Sequence, residues 1–155
     1  MGELIRKSHN VSLLMYHFVF VAKYRRLVFN EEVDTVLKNV CLEISKRYEI
    51  RFLEIGTEGD HVHFLIQSVP IYSPTKICNK VKSITAREIF FKVPTVKNEL
   101  WGGEFWSDGY YVSTVGEHAN ETVIREYIKN QGEKGKYKQL HKEKPSNSQL
   151  SLFWD

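Results

Sequence analysis

Cysteine is scarce in this sequence, with two residues in 155, Cys41 and Cys78. They lie far apart within helical patterns and form no C-x-x-C pair, so the chain offers neither a disulfide framework nor the usual spacing of a zinc or thiol redox site. Both read as reduced, buried thiols. Also missing is any run of about 18 uncharged apolar residues, so no segment is read as spanning a bilayer and no membrane partner is expected. Residues 1–10 mix charge and polarity too freely for a signal peptide. Charge of one sign is lacking as well. A net +3 does not mark a nucleic-acid binder, because the footprint that matters is a local basic cluster rather than a chain total.

What is present is an orderly alternation of strand and helix patterns, on a chain of single-domain size that can bury a core without disulfide or structural metal. From Leu13 to Ala22, the residues Tyr16, Phe18 and Phe20 alternate with His17, Val19 and Val21, the period of a strand. Asn30 then caps a helical pattern carried by Val33, Val36, Leu37, Val40, Cys41, Ile44 and Tyr48. Strands over 50–56 and 61–68 flank the turn Glu58-Gly59-Asp60 and form a hairpin. Ser73-Pro74 opens a second helix that runs to about Lys92, before Pro94. Phe105 to Gly109 reads as a turn, residues 110–115 as a fourth strand, and Asn120 as the cap of a further helix reaching Gln131, with Gly132 as its stop.

The order is βαββαβ, the ferredoxin-like or RRM-like α+β plan: an antiparallel sheet with two helices on one face, extended by a C-terminal helix. The opposite face is left free by these two helices in this reading, and a third helix could approach it. Residues 1–131 form one domain, and residues 132–155, rich in lysine, serine and asparagine, form a basic polar tail.

His61 and His63, two apart on one strand, project from the same face, while Val62, Phe64 and Ile66 project from the other. Imidazoles roughly 6.6 Å apart along a strand can converge on one divalent ion if a third ligand arrives from elsewhere. The same H-x-H pattern also describes two half-exposed histidines, and spacing does not decide between them. Tyr127 and Gln131, four apart, share a helix face, although Tyr127 also fits an apolar stripe with Val123, Ile124 and Ile128. Two basic groups stand out. One is Lys23, Arg25 and Arg26. The other is a stripe of Lys76, Lys80, Ser83 and Arg87 along the second helix, which could track phosphates or simply be a solvated face.

Three segments together resemble the one-tyrosine HUH transposases, the TnpA proteins of insertion sequences that move as single-stranded DNA. They are Asp60-His61-Val62-His63-Phe64-Leu65, the block from Phe105-Trp106-Ser107-Asp108-Gly109 through Tyr110-Tyr111-Val112-Ser113-Thr114-Val115-Gly116, and Tyr127-Ile128-Lys129-Asn130-Gln131. Their order and spacing match over nearly the whole chain, and the tail after Gly132 is the part least covered. The resemblance implies that Tyr127 is the nucleophile and that His61, His63 and Gln131 bind a divalent metal, Mg²⁺ or Mn²⁺. It further implies cleavage and strand transfer on hairpin-bearing single-stranded DNA at element ends, through a 5′-phosphotyrosine. A homodimer with active sites shared between subunits and a cytoplasmic, DNA-associated setting in a prokaryote complete the expectation.

Two other readings stay open. A domesticated relative would use the same chemistry on chromosomal hairpin repeats, and a non-catalytic module would use the βαββαβ sheet to bind single-stranded nucleic acid by stacking.

Overall fold

The computed structural model describes residues 3–116. Its centre is a four-stranded antiparallel sheet of β3 (Leu14–Val21), β4 (Arg51–Glu58), β5 (His61–Ser68) and β6 (Tyr111–Thr114), with spatial order β4-β5-β3-β6. A small hairpin of β1 (Ile5–Arg6) and β2 (Val11–Ser12) precedes it. The helices are α1 (Glu31–Arg47) and α2 (Pro74–Lys92). Placing the first and third strands of the βαββαβ unit at the centre is the ferredoxin-like arrangement expected from the element order. The C-terminal helix assigned to residues 120–131, and with it Tyr127 and Gln131, lies outside the described residues.

Local chemistry sets each boundary. The Asn30 side chain accepts the Val33 N–H at 2.9 Å, and Glu31, Glu32 and Asp34 in the first turn with Lys46 and Arg47 in the last complement the dipole of α1. The Ser73 hydroxyl accepts the Lys76 N–H at 3.1 Å, and Pro74 opens α2 without losing a needed donor. Between β4 and β5 the chain reverses in two residues, Gly59 and Asp60. Gly59 sits at φ 55, where a Cβ would be strained and would meet a Leu27 methyl at 3.1 Å.

Alternation divides the sheet. Phe18, Phe20, Val62, Phe64 and Ile66 face the helices and pack with Leu37, Cys41, Ile44, Ile77, Val81 and Ile89 in the main core. The residues of opposite parity form a second, smaller cluster of Met15, Leu65 and Val115 beside His17, His61 and His63. A register shift between Phe52 and Glu54 turns Leu53 toward this small cluster.

Two expectations change. The segment from Phe105 is more than a turn: Phe105 and Trp106 are buried, Trp106 bridges to Ala22, and its Nε1 donates to Thr85 Oγ1 at 3.0 Å. An aromatic pair that can be covered packs into the core even when glycine and aspartate flank it. The face opposite α1 and α2 is not simply open either. Val19, Val21, His17, His63 and Leu65 are all buried there. Among the described residues no helix is long and apolar enough to cross a membrane.

A paired-histidine site on the face opposite the helices

The hairpin places both histidines where strand parity requires. His61 leaves the turn directly, opposite Glu58, and His63 lies opposite Gly56 on one side and Val19 on the other. Their ring centroids are 5.3 Å apart with planes at 68°, so the two imidazoles share one locus without stacking face to face. They are not the half-exposed pair that the spacing also allowed. The His61 side chain is 12% accessible and His63 is 1% accessible.

Each ring is held at Nδ1. Asp60 Oδ1 lies 2.7 Å from His61 Nδ1, and its other oxygen accepts from Arg25 Nε at 3.2 Å. Partial burial works against ionisation of Asp60, but hydrogen bonding and charge from His61 together with the Arg25 guanidinium outweigh it and hold the carboxyl below its ordinary value. An ionised carboxylate only accepts, so His61 carries its proton on Nδ1. Its Nε2 is 3.9 Å from Glu58 Oε1. His63 Nδ1 faces His17 Nε2 at 2.8 Å.

Arg25 reaches Asp60 because the chain after β3 folds back over the hairpin tip. Tyr24 and Arg25 both adopt left-handed backbone conformations, φ 59 and 54, and the Ala22 N–H donates to Asp60 O at 2.8 Å. Such conformations cost about 1–2 kcal/mol per non-glycine residue and persist where surrounding contacts fix them. Lys82 braces the far end of the same region: its Nζ donates to the carbonyls of Ser107, Asp108 and Gly109 at 2.7, 3.2 and 2.9 Å.

Two imidazoles on one face, each within hydrogen-bond distance of a neighbour through Nδ1, are nitrogen groups that could hold a divalent ion. Among the described residues no group of three or more His, Cys, Asp or Glu gathers to hold a metal, so these residues alone are an incomplete ligand set. The basic residues expected to touch nucleic acid divide. Lys23 pairs with Glu104 at 2.9 Å and Asp108 at 3.7 Å, and its hydrogen bond to Glu104 raises its pKa against a smaller opposing effect of burial. Arg25 is committed to Asp60, whereas Arg26 is exposed. On α2, Lys76, Ser83 and Arg87 are exposed, and Lys80 is half-buried with its Nζ 4.6 Å from the Tyr48 ring centre. The sheet separates this stripe from the histidines. Sequence reading missed Asp60 and His17 as partners of the histidine pair; a carboxylate directly before His61 and a third histidine of matching parity on the first strand were the available signals.

Residues 10–131 match the family model described as IS200-like transposase. The chain belongs to the IS200-like transposase family. It is 31% identical over 132 residues to the ISDra2 transposase TnpA of Deinococcus radiodurans, covering 85% of this chain and 94% of that one. It is also 31% identical over 136 residues to the transposase of the element IS200 in Salmonella typhimurium, covering 88% of each chain. A transposase crystal structure from Deinococcus radiodurans superposes with a TM-score of 0.67 at 30% identity, over 83% of this chain and 98% of that one. A REP-associated tyrosine transposase bound to a REP hairpin superposes at 0.58 with 10% identity, over 84% and 72% of the two chains, which shows the shared fold. In this family member the paired histidines stand on the sheet face opposite α1 and α2, with hydrogen-bond partners from the hairpin turn and from the strand beside them.

Proposed function

We propose that this IS200-like transposase cleaves and rejoins single-stranded DNA bearing a subterminal hairpin, with Tyr127 as nucleophile and His61, His63 and Gln131 as ligands of one divalent ion, Mg²⁺ or Mn²⁺. The observation that carries the reading is the placement of His61 and His63 on one sheet face with ring centroids 5.3 Å apart, each imidazole within hydrogen-bond distance of a neighbour through Nδ1. When bound, the ion would polarise the scissile phosphate and position it for attack. Polarisation matters because a phenol with pKa near 10 is only about one part in a thousand ionised at pH 7.

In the proposed step the Tyr127 hydroxyl gives up its proton as its oxygen bonds to phosphorus, the bond from phosphorus to the 3′-oxygen breaks, and that oxygen takes up a proton to leave as a 3′-hydroxyl, so that no proton is gained or lost overall. Tyr127 is then a 5′-phosphotyrosine. Attack on it by the 3′-hydroxyl of another strand reverses the bonding, releases the tyrosine and joins the DNA, with no external energy source. The α2 stripe of Lys76, Lys80, Ser83 and Arg87 would grip DNA away from the scissile phosphate, and Arg25 and Arg26 lie nearer the histidine pair. Lys23 contributes to that end through the turn it anchors.

The test incubates an end-labelled hairpin oligonucleotide with the protein and Mn²⁺, followed by denaturing electrophoresis. The expected result is a covalent adduct and a released fragment, both lost in Tyr127→Phe and in His61→Ala. An adduct that survives Tyr127→Phe would overturn the assignment of the nucleophile, and tight binding with intact DNA would favour a non-catalytic module. Mixing Tyr127→Phe chains with His61→Ala chains tests sharing between subunits, because activity returns only if the tyrosine of one subunit serves the histidines of the other.

A further inference from the structure

The face that carries His61 and His63 also carries a third imidazole. His17 is paired with Leu65 across the β3–β5 ladder and His63 with Val19, so His17 and His63 are diagonal neighbours on one face. His17 Nε2 and His63 Nδ1 are 2.8 Å apart, the ring planes differ by 15°, and the centroids are 5.0 Å apart. With the centroids that far apart and the nitrogens that close, the rings lie edge to edge in nearly one plane, the geometry of an in-plane hydrogen bond rather than of a stack. His17 is 5% accessible and His63 1% accessible, so an unmade bond here would be costly.

Two neutral imidazoles can share this contact in only two ways. If His63 donates from Nδ1, its Nε2 is a lone pair available to a metal, and His17 carries its own proton on Nδ1. If His17 donates from Nε2, His63 must carry its proton on Nε2 and cannot be a ligand through that atom. For His61 the choice is forced, because the Asp60 carboxylate can only accept. For His63 the neighbour is another imidazole, and the choice depends on it.

We infer that His17 is a positioning residue: it accepts the His63 Nδ1–H and so fixes the ring plane and tautomer that present His63 Nε2 as a metal ligand. The inference rests on the reading of His63 as a ligand. It also assigns different tasks to two histidines that the sequence does not distinguish, one touching the ion and one acting only through its neighbour.

The test measures Mn²⁺ binding to the full-length protein by titration calorimetry for the wild type, His63→Ala, His17→Gln and His17→Phe, and His63 tautomers by two-bond ¹H–¹⁵N NMR on metal-free protein at neutral pH. Glutamine keeps an acceptor for the His63 Nδ1–H and phenylalanine keeps the flat shape alone. The expected result is Mn²⁺ affinity within about threefold of wild type for His17→Gln and a loss of about 10- to 100-fold for His17→Phe. His63 should be protonated on Nδ1 in the wild type and in His17→Gln. Equal Mn²⁺ affinity of His17→Phe and wild type would overturn the inference, as would equal weakening by both substitutions, which is the mark of packing alone. Should His17→Phe fail to fold, the wild-type spectrum still decides, since a proton on His63 Nε2 is incompatible with the assignment. A His63→Ala protein that binds Mn²⁺ as the wild type does would instead refute the ligand reading beneath it.

Discussion

The two faces of the central sheet are made from the same strands, residue by residue, and they carry opposite kinds of chemistry. Toward the helices, Phe18, Phe20, Val62, Phe64 and Ile66 meet α1 and α2 in a continuous apolar core with aromatic edge contacts, such as Phe20 on Phe64 at 5.2 Å. Toward the other side the same strands present His17, His61 and His63 beside a small patch of Met15, Leu65 and Val115. Period-two alternation lets one strand serve stability and function without either face constraining the identity of the other's residues. The difference predicts that neighbouring substitutions on β5 separate cleanly into those that unfold the protein and those that silence it.

The sharpest way to break that comparison is to truncate Phe64 and His61, three residues apart. Phe64→Ala removes a fully buried ring and should cost about 3–5 kcal/mol, read as a fall in the urea midpoint. His61→Ala should cost about 1 kcal/mol, the scale of one hydrogen bond, while abolishing Mn²⁺-dependent cleavage. If His61→Ala proves as destabilising as Phe64→Ala, the histidine face is structural and the division fails. A milder probe of the helix face is Trp106→Phe, which removes the Nε1–H donated to buried Thr85 and should cost about 1–2 kcal/mol.

How far this division can be read from sequence differs by element. The parity of His61 and His63 follows from the alternation of β5 alone, and α2 begins at its Ser73-Pro74 signal because capping is a local interaction. The β1–β2 hairpin has two-residue strands, too short to show any periodicity. Phe105 and Trp106 resemble turn residues until their burial against α2 and β3 is known. The partner of His63 depends on the register between β3 and β5, strands separated by a helix and another strand, and no local pattern encodes it. Asp60 passed as a turn former because it stands in the turn between β4 and β5, while the contacts of its carboxylate with His61 and Arg25 show only in three dimensions. Tyr127 and Gln131 were visible only as a helix spacing and as part of a family resemblance, and both lie outside the described residues.

On the histidine face, Asp60→Ala sharpens the comparison further. It deletes the acceptor of His61 Nδ1 and the partner of Arg25 without touching either proposed strand ligand. Mn²⁺ affinity should fall about tenfold, and Asp60→Asn, which retains an acceptor oxygen, should recover part of it. Calorimetric titration of both variants checks this. Equal and complete loss in both would mean that the carboxylate acts as a ligand rather than as an orienting group.

The smallest effect belongs to the helix side and is visible only in alkali. Cys78 on α2 is buried, and desolvation pushes its thiol from 9.0 up to about 11, with nearby Lys82 pulling weakly the other way; Cys41 on α1 is pushed in the same direction by burial. In the unfolded chain these thiols ionise at ordinary values, so between pH 9 and about pH 11 the unfolded state has released protons that the folded state retains. Stability from this source is therefore complete below pH 9 and declines as pH rises through that window. Cys78→Ala should lower stability at pH 8 by about 1 kcal/mol through lost packing, yet show a shallower decline above pH 9, so that the two proteins converge. Urea titrations at both ends of the window measure the difference between wild type and variant, in which every other titrating group cancels. Parallel curves would mean that Cys78 is already solvated in the folded protein, and the helix-facing core would then be less dry than the burial of its thiols indicates.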